Sequence, residues 1–259
     1  MSPGMGPRTC TVLAGGKGMR LRPFTYSLPK PLMPVGKYEA ARPVLAILLE
    51  RLSACGFKRV IVCVGHQAEL IKTYCGNGDK WEVEILYSEE SEPLGTAGPI
   101  LKCHRAGLLD EPFISVNGDT ITDLDFGALH DFHIERPELV TAAVTRRRQK
   151  IDYGIVSVTK GDPPIIKRWR EKPELLLPVA MGIYAISPEA LEHLPPGCSD
   201  MPDLVQSNVT AVYYHDGEWL DIGRPEDYSR ACAGFEAEDG TTSGSGLPAG
   251  TCPPAGGVD

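Results

Sequence analysis

Residues Thr9–Gly18 read TCTVLAGGKG, and two later stretches share their form: Arg59–Gly65, RVIVCVG, and Pro112–Asp119, PFISVNGD. In each, a short apolar run stops at glycine or at a polar turn. Such runs mark strands buried on both faces. Helical patterns lie between them. Val44–Cys55 has helical periodicity with Gly56 as its stop, Gln67–Tyr74 ends at Gly76, and Thr96–Ala106 and Phe126–His133 read as further helices. Glu82–Tyr87 alternates as a strand does. Strand and helix in alternation imply an α/β domain, its mainly parallel sheet covered by helices on both faces. Ligands of such sheets sit beyond the carboxyl ends of the strands. The loops after Ala14 and after Val116 both open there.

The second half changes character. Thr141–Arg146, Gly154–Val158, Ile165–Trp169 and Val179–Ile186 read as shorter strands separated by proline-rich turns. They form a mixed extension of the sheet that carries a substrate site. A last helix is expected over Pro225–Glu236. The stretch Gly240–Asp259, GTTSGSGLPAGTCPPAGGVD, lacks any core-forming pattern. The expectation is one domain over residues 8–236 and a disordered tail over 237–259.

Composition narrows the function classes. The chain has 259 residues, enough to bury a large core without staples, and a net charge of -8. That balance argues against a nucleic-acid partner, which leaves a basic footprint, but permits a small anionic ligand met by a few local cations. The eight cysteines are scattered and lack metal spacing, so they are read as buried thiols of a cytoplasmic protein. The opening MSPGMGPRTC has no apolar core of a signal peptide, and no apolar run is long enough to span a membrane.

The chemistry concentrates in seven short strings. The first is LAGGKGMRLRPFT, Leu13–Thr25, followed by PKP at Pro29–Pro31. Gly15, Gly16 and Gly18 let the backbone approach a polyphosphate and aim successive N–H groups at its oxygens. Arg20 and Lys30 add cationic donors. Walker A is absent, and the dinucleotide fingerprint fails because Leu21 stands where its third glycine belongs. The glycines alone would equally make a plain turn; the arginine and PKP shift the balance. SEPLGTAGPI, Ser91–Ile100, places Gly95 and Thr96 at a helix start, where they suit a base or phosphate, or a simple cap. NGDT and WLDIG carry Asp119 and Asp221 at strand ends, where carboxylates hold Mg²⁺ or serve as turn residues. REKP supplies Glu171 and Lys172; YGIV and AMGIY supply Gly154 and Gly182. Arg146–Arg148 is read as a solvated strand end and His66 as a helix-start residue.

Together these strings resemble the signature of the sugar nucleotidyltransferases, the NDP-sugar pyrophosphorylases. The resemblance runs from Thr9 to Glu236 and is to the short form, without a β-helix domain. It implies a GT-A-like Rossmannoid fold: a mixed, mostly parallel sheet flanked by helices in a single domain. It also implies that Leu13, Ala14, Gly15, Gly16 and Gly18 lie along the nucleotide, with Gly95 and Thr96 at its base. Arg20 and Lys30 would bind its phosphates, Asp119 and Asp221 Mg²⁺, Glu171 sugar hydroxyls, Lys172 the sugar phosphate, and Gly154 and Gly182 would let the sugar come close. The partners implied are a nucleoside triphosphate and a sugar 1-phosphate, with a homo-oligomer left open.

EPLGTAG is the form common among mannose-1-phosphate guanylyltransferases, which favours GTP and a mannose- or heptose-type sugar. The alternative is uridylyl or thymidylyl transfer to glucose 1-phosphate. Two departures bear on the sugar. Ala180 stands where many guanylyltransferases carry Asn, and Ser199–Asn208 is shorter than usual, which would reshape the far wall of the sugar site. Three rivals remain. Asp123-Leu124-Asp125 formally matches the metal motif of a GT-A glycosyltransferase, although the PKP and EKP lysines fit a triphosphate and a sugar phosphate better. A regulatory subunit would be expected to lack some of Arg20, Lys30, Asp119, Lys172 and Asp221, all present here. A structural nucleotide-sugar binding module would bind product without turnover.

Overall fold

A computed structural model describes residues 7–36, 41–194 and 199–234. The first half runs β1 (Thr9–Ala14), β2 (Pro34–Val35), β3 (Arg42–Pro43), α1 (Val44–Ala54), β4 (Arg59–Val64), α2 (Ala68–Cys75), β5 (Glu84–Glu89), α3 (Gly98–Arg105), β6 (Phe113–Asn117), β7 (Thr120–Thr122) and α4 (Phe126–Ile134). The second half runs β8 (Val140–Lys150), β9 (Ile155–Val158), β10 (Ile166–Arg170), β11 (Glu174–Ile186), α5 (Met201–Ser207), β12 (Thr210–Tyr214), β13 (Trp219–Asp221) and α6 (Pro225–Gly234). The expected disordered tail falls outside the described residues. No described helix is long and apolar enough to cross a membrane.

The central sheet has the order β12-β8-β11-β6-β1-β4-β5. Its ladders are parallel except those of β11, which runs antiparallel to β6 and β8. This is the mixed, mostly parallel sheet read from the sequence. Both faces are covered. Val12, Val60, Val62, Ile114 and Val116 pack with Leu45, Leu49 and Leu52 of α1 and with Leu129 of α4. Ile61, Cys63 and Phe113 pack with Ile100 and Leu101 of α3 and with Leu204 of α5. Each such aliphatic side chain contributes about 1.5–3 kcal/mol when fully buried. Two-sided burial is why β1, β4 and β6 read as continuous apolar runs. Cys10, Cys63, Cys75 and Cys103 are buried free thiols.

Several elements depart from the sequence reading. Strands β8 and β11 are far longer than expected, and their outer halves pair Arg146–Lys150 with Glu174–Pro178 beyond the core. Charged and proline-bearing sequence concealed a ladder held by backbone bonds rather than burial. Arg147 is not a solvated strand end: its guanidinium lies 4.4 Å from the centre of the Trp219 ring and donates to the Trp219 carbonyl at 3.2 Å. Helix α3 begins at Gly98, not Thr96: its first intrahelical bond runs from the Leu101 N–H to the Ala97 carbonyl at 3.0 Å.

His133, in the last turn of α4, lies in the core, its ring nitrogens 2.9 Å from Thr141 Oγ1 and 3.0 Å from Ser187 Oγ. Burial, with neighbouring His130, depresses its pKa from 6.5 to about 4, against an opposing pull from Glu138. The unfolded chain therefore takes up this proton near pH 6.5 and the folded chain only near pH 4. The stability involved is fully present above pH 6.5 and is lost as the pH falls towards 4, by roughly 3 kcal/mol in all. Urea midpoints measured from pH 7 to 4.5 should fall, and His133→Gln should flatten that fall; an equal slope in the variant would refute the assignment.

Candidate functional site

The carboxyl ends of β1 and β6 are drawn together by the Gly118 N–H, which donates to the Leu13 carbonyl at 2.9 Å. A Cβ on Gly118 would lie 3.0 Å from that oxygen, so glycine suits the crossing. Beyond it, β7 pairs antiparallel with β13, matching Thr120 to Asp221, and the Ile222 N–H donates to the Asp119 carbonyl at 3.3 Å. This small ribbon sets Asp119 beside Asp221. Lys30, on a 3-10 turn after Pro29, lies between them. Its Nζ ion-pairs with Asp119 and lies 3.3 Å from Asp221. Burial pushes the Asp119 carboxyl up, Lys30 pulls it back and Asp221 adds to the rise. Among the described residues no group of three or more His, Cys, Asp or Glu could hold a metal. Two carboxylates nevertheless suit Mg²⁺, which takes few protein ligands and keeps waters. The position of the Lys30 ammonium shows that their charges meet on a cation.

The glycine loop leaves β1 at the same end. Gly18 is left-handed at φ 59°, and its carbonyl accepts bonds from Leu21 N–H at 3.0 Å and Thr25 Oγ1 at 2.9 Å. A Cβ there would lie 2.9 Å from Thr25 Cγ2. Arg20 is exposed on this loop, and a side chain at Gly16 would meet open space. At Gly15 it would strike the Glu90 carboxylate. The sequence reading passed over Glu90, one acid among several in SEESE. Its only signal is its place directly after β5, before the EPLGTAG loop. The Glu90 carboxylate reaches from the glycine loop to the Leu94 N–H, 3.0 Å away.

The EPLGTAG loop is clamped from behind. Gly95 has φ 78°, and a Cβ there would strike the Ser199 carbonyl and lie 2.8 Å from Asp200 Oδ1. Thr96 donates to Asp200 Oδ1 through its N–H at 2.9 Å and its hydroxyl at 3.1 Å, and its Oγ1 accepts the Met201 N–H at 2.8 Å. The Thr96 hydroxyl is thus engaged within the protein. The short segment starting at Ser199, expected at the far wall of the sugar site, packs against this loop.

On the sheet extension, Gly154 lies against the Trp169 indole and Glu171. Lys172 holds a left-handed φ of 40° and, like Glu171, is exposed. Gly182, at φ 72°, gives up its side-chain space to the Asn117 amide, so it fits β11 to the end of β6. His66 donates its N–H to the Gly15 carbonyl at 3.2 Å, and Gln67 is the N-cap of α2, which starts at Ala68.

A family model described as nucleotidyl transferase matches residues 10–238. The chain is 32% identical over 226 residues to the mannose-1-phosphate guanyltransferase of Kluyveromyces lactis, covering 84% of this chain and 62% of that protein. It is 33% identical over 246 residues to the UTP–glucose-1-phosphate uridylyltransferase of Synechocystis sp., covering 86% and 62%. The chain therefore spans about three fifths of the length of these curated relatives. Its fold superposes on HddC from Yersinia pseudotuberculosis with a TM-score of 0.68 at 24% identity, covering 88% of this chain and 100% of that one.

The clamp on the EPLGTAG loop can be tested by a double-mutant cycle. Asp200→Ala and Thr96→Val should each cost about 1–2 kcal/mol of stability, and together much less than the sum. Strict additivity in denaturant unfolding would dismiss the clamp.

Proposed function

Because the chain belongs to the nucleotidyl transferase family, we propose that it transfers a nucleotidyl group from a nucleoside triphosphate to a sugar 1-phosphate, giving an NDP-sugar and pyrophosphate. The observation that carries this reading is the Asp119–Lys30–Asp221 cluster at the strand ends, beside the glycine loop. A sugar phosphate oxygen is already anionic near neutral pH, so no general base is required. It attacks the α-phosphorus in line and pyrophosphate leaves. The protein contributes positioning and charge neutralisation. Arg20 and Lys30 bind the triphosphate, Lys172 orients the attacking phosphate and Glu171 accepts sugar hydroxyls. Asp119 and Asp221 would hold Mg²⁺, which when bound offsets the charge that builds on the phosphates. The buried thiols suit a reducing cytoplasm.

GTP is the favoured nucleotide. The Glu90 carboxylate supports this, because guanine offers one carboxylate two donors, its N1–H and its 2-amino group, whereas uracil and thymine offer a single ring N–H. A mannose-type sugar fits the likeness to the Kluyveromyces lactis protein. The likeness to the Synechocystis protein supports a second reading, uridylyl transfer to glucose 1-phosphate.

Pyrophosphate release should be measured with Mg²⁺ across GTP, UTP, dTTP, CTP and ATP, each against a panel of sugar 1-phosphates. Release that requires both substrates is expected; none from any pair, with the protein folded, would remove the reading. Asp119→Ala and Arg20→Ala should each lower turnover by roughly 10²–10³ with the melting transition retained. Near wild-type rates in either would sink the corresponding role. Glu90→Gln should lower kcat/KM for GTP relative to UTP by about tenfold, the scale of one charge-assisted hydrogen bond. An unchanged ratio would take Glu90 out of base selection.

A further inference from the structure

Trp169 is the penultimate residue of β10, on a ribbon with β9 whose residues are all exposed. Trp169 is 60% exposed. Large aromatic rings are normally spent on a core or an interface, so one left open needs a reason. Its surroundings are built. The indole N–H donates to Glu171 Oε2 at 2.9 Å. A Cβ at Gly154 would lie 2.5 Å from Trp169 Cζ2 and 2.7 Å from Cε2, so any side chain at 154 would displace the ring. The same Cβ would lie 3.1 Å from Glu171 Oε2. Glycine, indole and carboxylate therefore form one unit. The next residue, Lys172, holds a left-handed conformation disfavoured for a side chain of its kind, and Pro173 beyond it is buried. Strain of this sort persists where the surroundings enforce it, and it gathers at ligand sites.

We infer that Trp169 is a sugar-contacting specificity residue: its ring is the platform on which the C–H face of a pyranosyl 1-phosphate rests, and its N–H fixes Glu171 for the sugar hydroxyls. The inference rests on the nucleotidyl-transfer reading above. A pyranose presents apolar C–H groups on its face and hydroxyls at its rim. An aromatic face beside a carboxylate complements both, the usual pairing in small-ligand sites of an apolar wall with a few placed polar groups. Because Glu171 Oε2 is taken by the indole, Oε1 is the oxygen offered to the sugar. Gly154 then serves the sugar through Trp169, by making room for the ring.

The chain has three tryptophans, so 5-fluorotryptophan labelling gives a small set of ¹⁹F signals, with Trp169 assigned from Trp169→Phe. The full chain would be titrated with GTP, UTP, mannose 1-phosphate, glucose 1-phosphate, GDP-mannose and UDP-glucose. The Trp169 signal should move with at least one sugar-bearing ligand and stay still with GTP and UTP alone. In steady-state kinetics with the active pair, Trp169→Phe keeps a ring but loses the N–H, and should raise the KM for sugar 1-phosphate while leaving that for the nucleotide unchanged. Trp169→Leu should raise it further, by about tenfold or more. A Trp169 signal that no sugar ligand moves overturns the inference, as does an unaltered sugar KM in the leucine variant. Either result in an enzyme that still releases pyrophosphate leaves the nucleotidyl-transfer reading standing. Absence of release from every pair removes that reading, while a Trp169 signal moved by a sugar ligand would still place the sugar on the indole.

Discussion

The placement of Lys30 between Asp119 and Asp221 is the constraint on which the rest of the site depends. Two carboxylates set side by side in a partly buried corner repel one another, and burial alone already raises the Asp119 pKa. A cation must stand near them for both to stay charged. Lys30 supplies one, and its position in turn requires the turn after Pro29, the Gly118 crossing and the β7–β13 ribbon. Removing Lys30 would leave the buried Asp119 carboxylate beside Asp221 without compensation, which costs more than the cluster gains in stability. The arrangement is better understood as a device for handling added charge than as a staple of the fold.

The extension shows a different economy. Its outer ladder of β8 and β11 and its β9–β10 ribbon contribute little to the core, yet they set Gly154, Trp169, Glu171 and Lys172 in fixed relation. Rigidity here comes from backbone pairing and from side chains that fill one another's vacancies: Trp169 over Gly154, Asn117 in the space of Gly182, Arg147 on Trp219. Glycines read from the sequence as openings for a ligand are thus partly openings for the protein's own side chains.

How much was legible follows from the range of the interactions. Strands β1, β4 and β6 announced themselves because burial on both faces forces an unbroken apolar run. The glycine loop was legible because its glycines are dense and Gly18 needs a left-handed backbone. The partnership of Asp119 with Asp221 was reached only through family likeness, since it depends on two three-residue strands far apart in the chain and too short to carry a pattern. Glu90 was hidden in an acidic run, and its role emerges only from what faces it. The link of Thr96 to Asp200 was equally hidden, since it joins residues far apart in the chain that share no local pattern.

The β7–β13 ribbon has a consequence for the order in which the molecule comes into being. As the chain emerges during synthesis, the glycine loop, the PKP turn and Asp119 are all made before β8, and the parallel strands that carry them already have one another to pair with. Asp221 emerges only after the whole extension has been laid down. Until β13 returns to β7, Lys30 has a single carboxylate to face and the corner stays unfinished. The nascent protein can therefore build the glycine loop early, but it closes the acidic pair last, so the corner is complete only once nearly all of the described fold is in place.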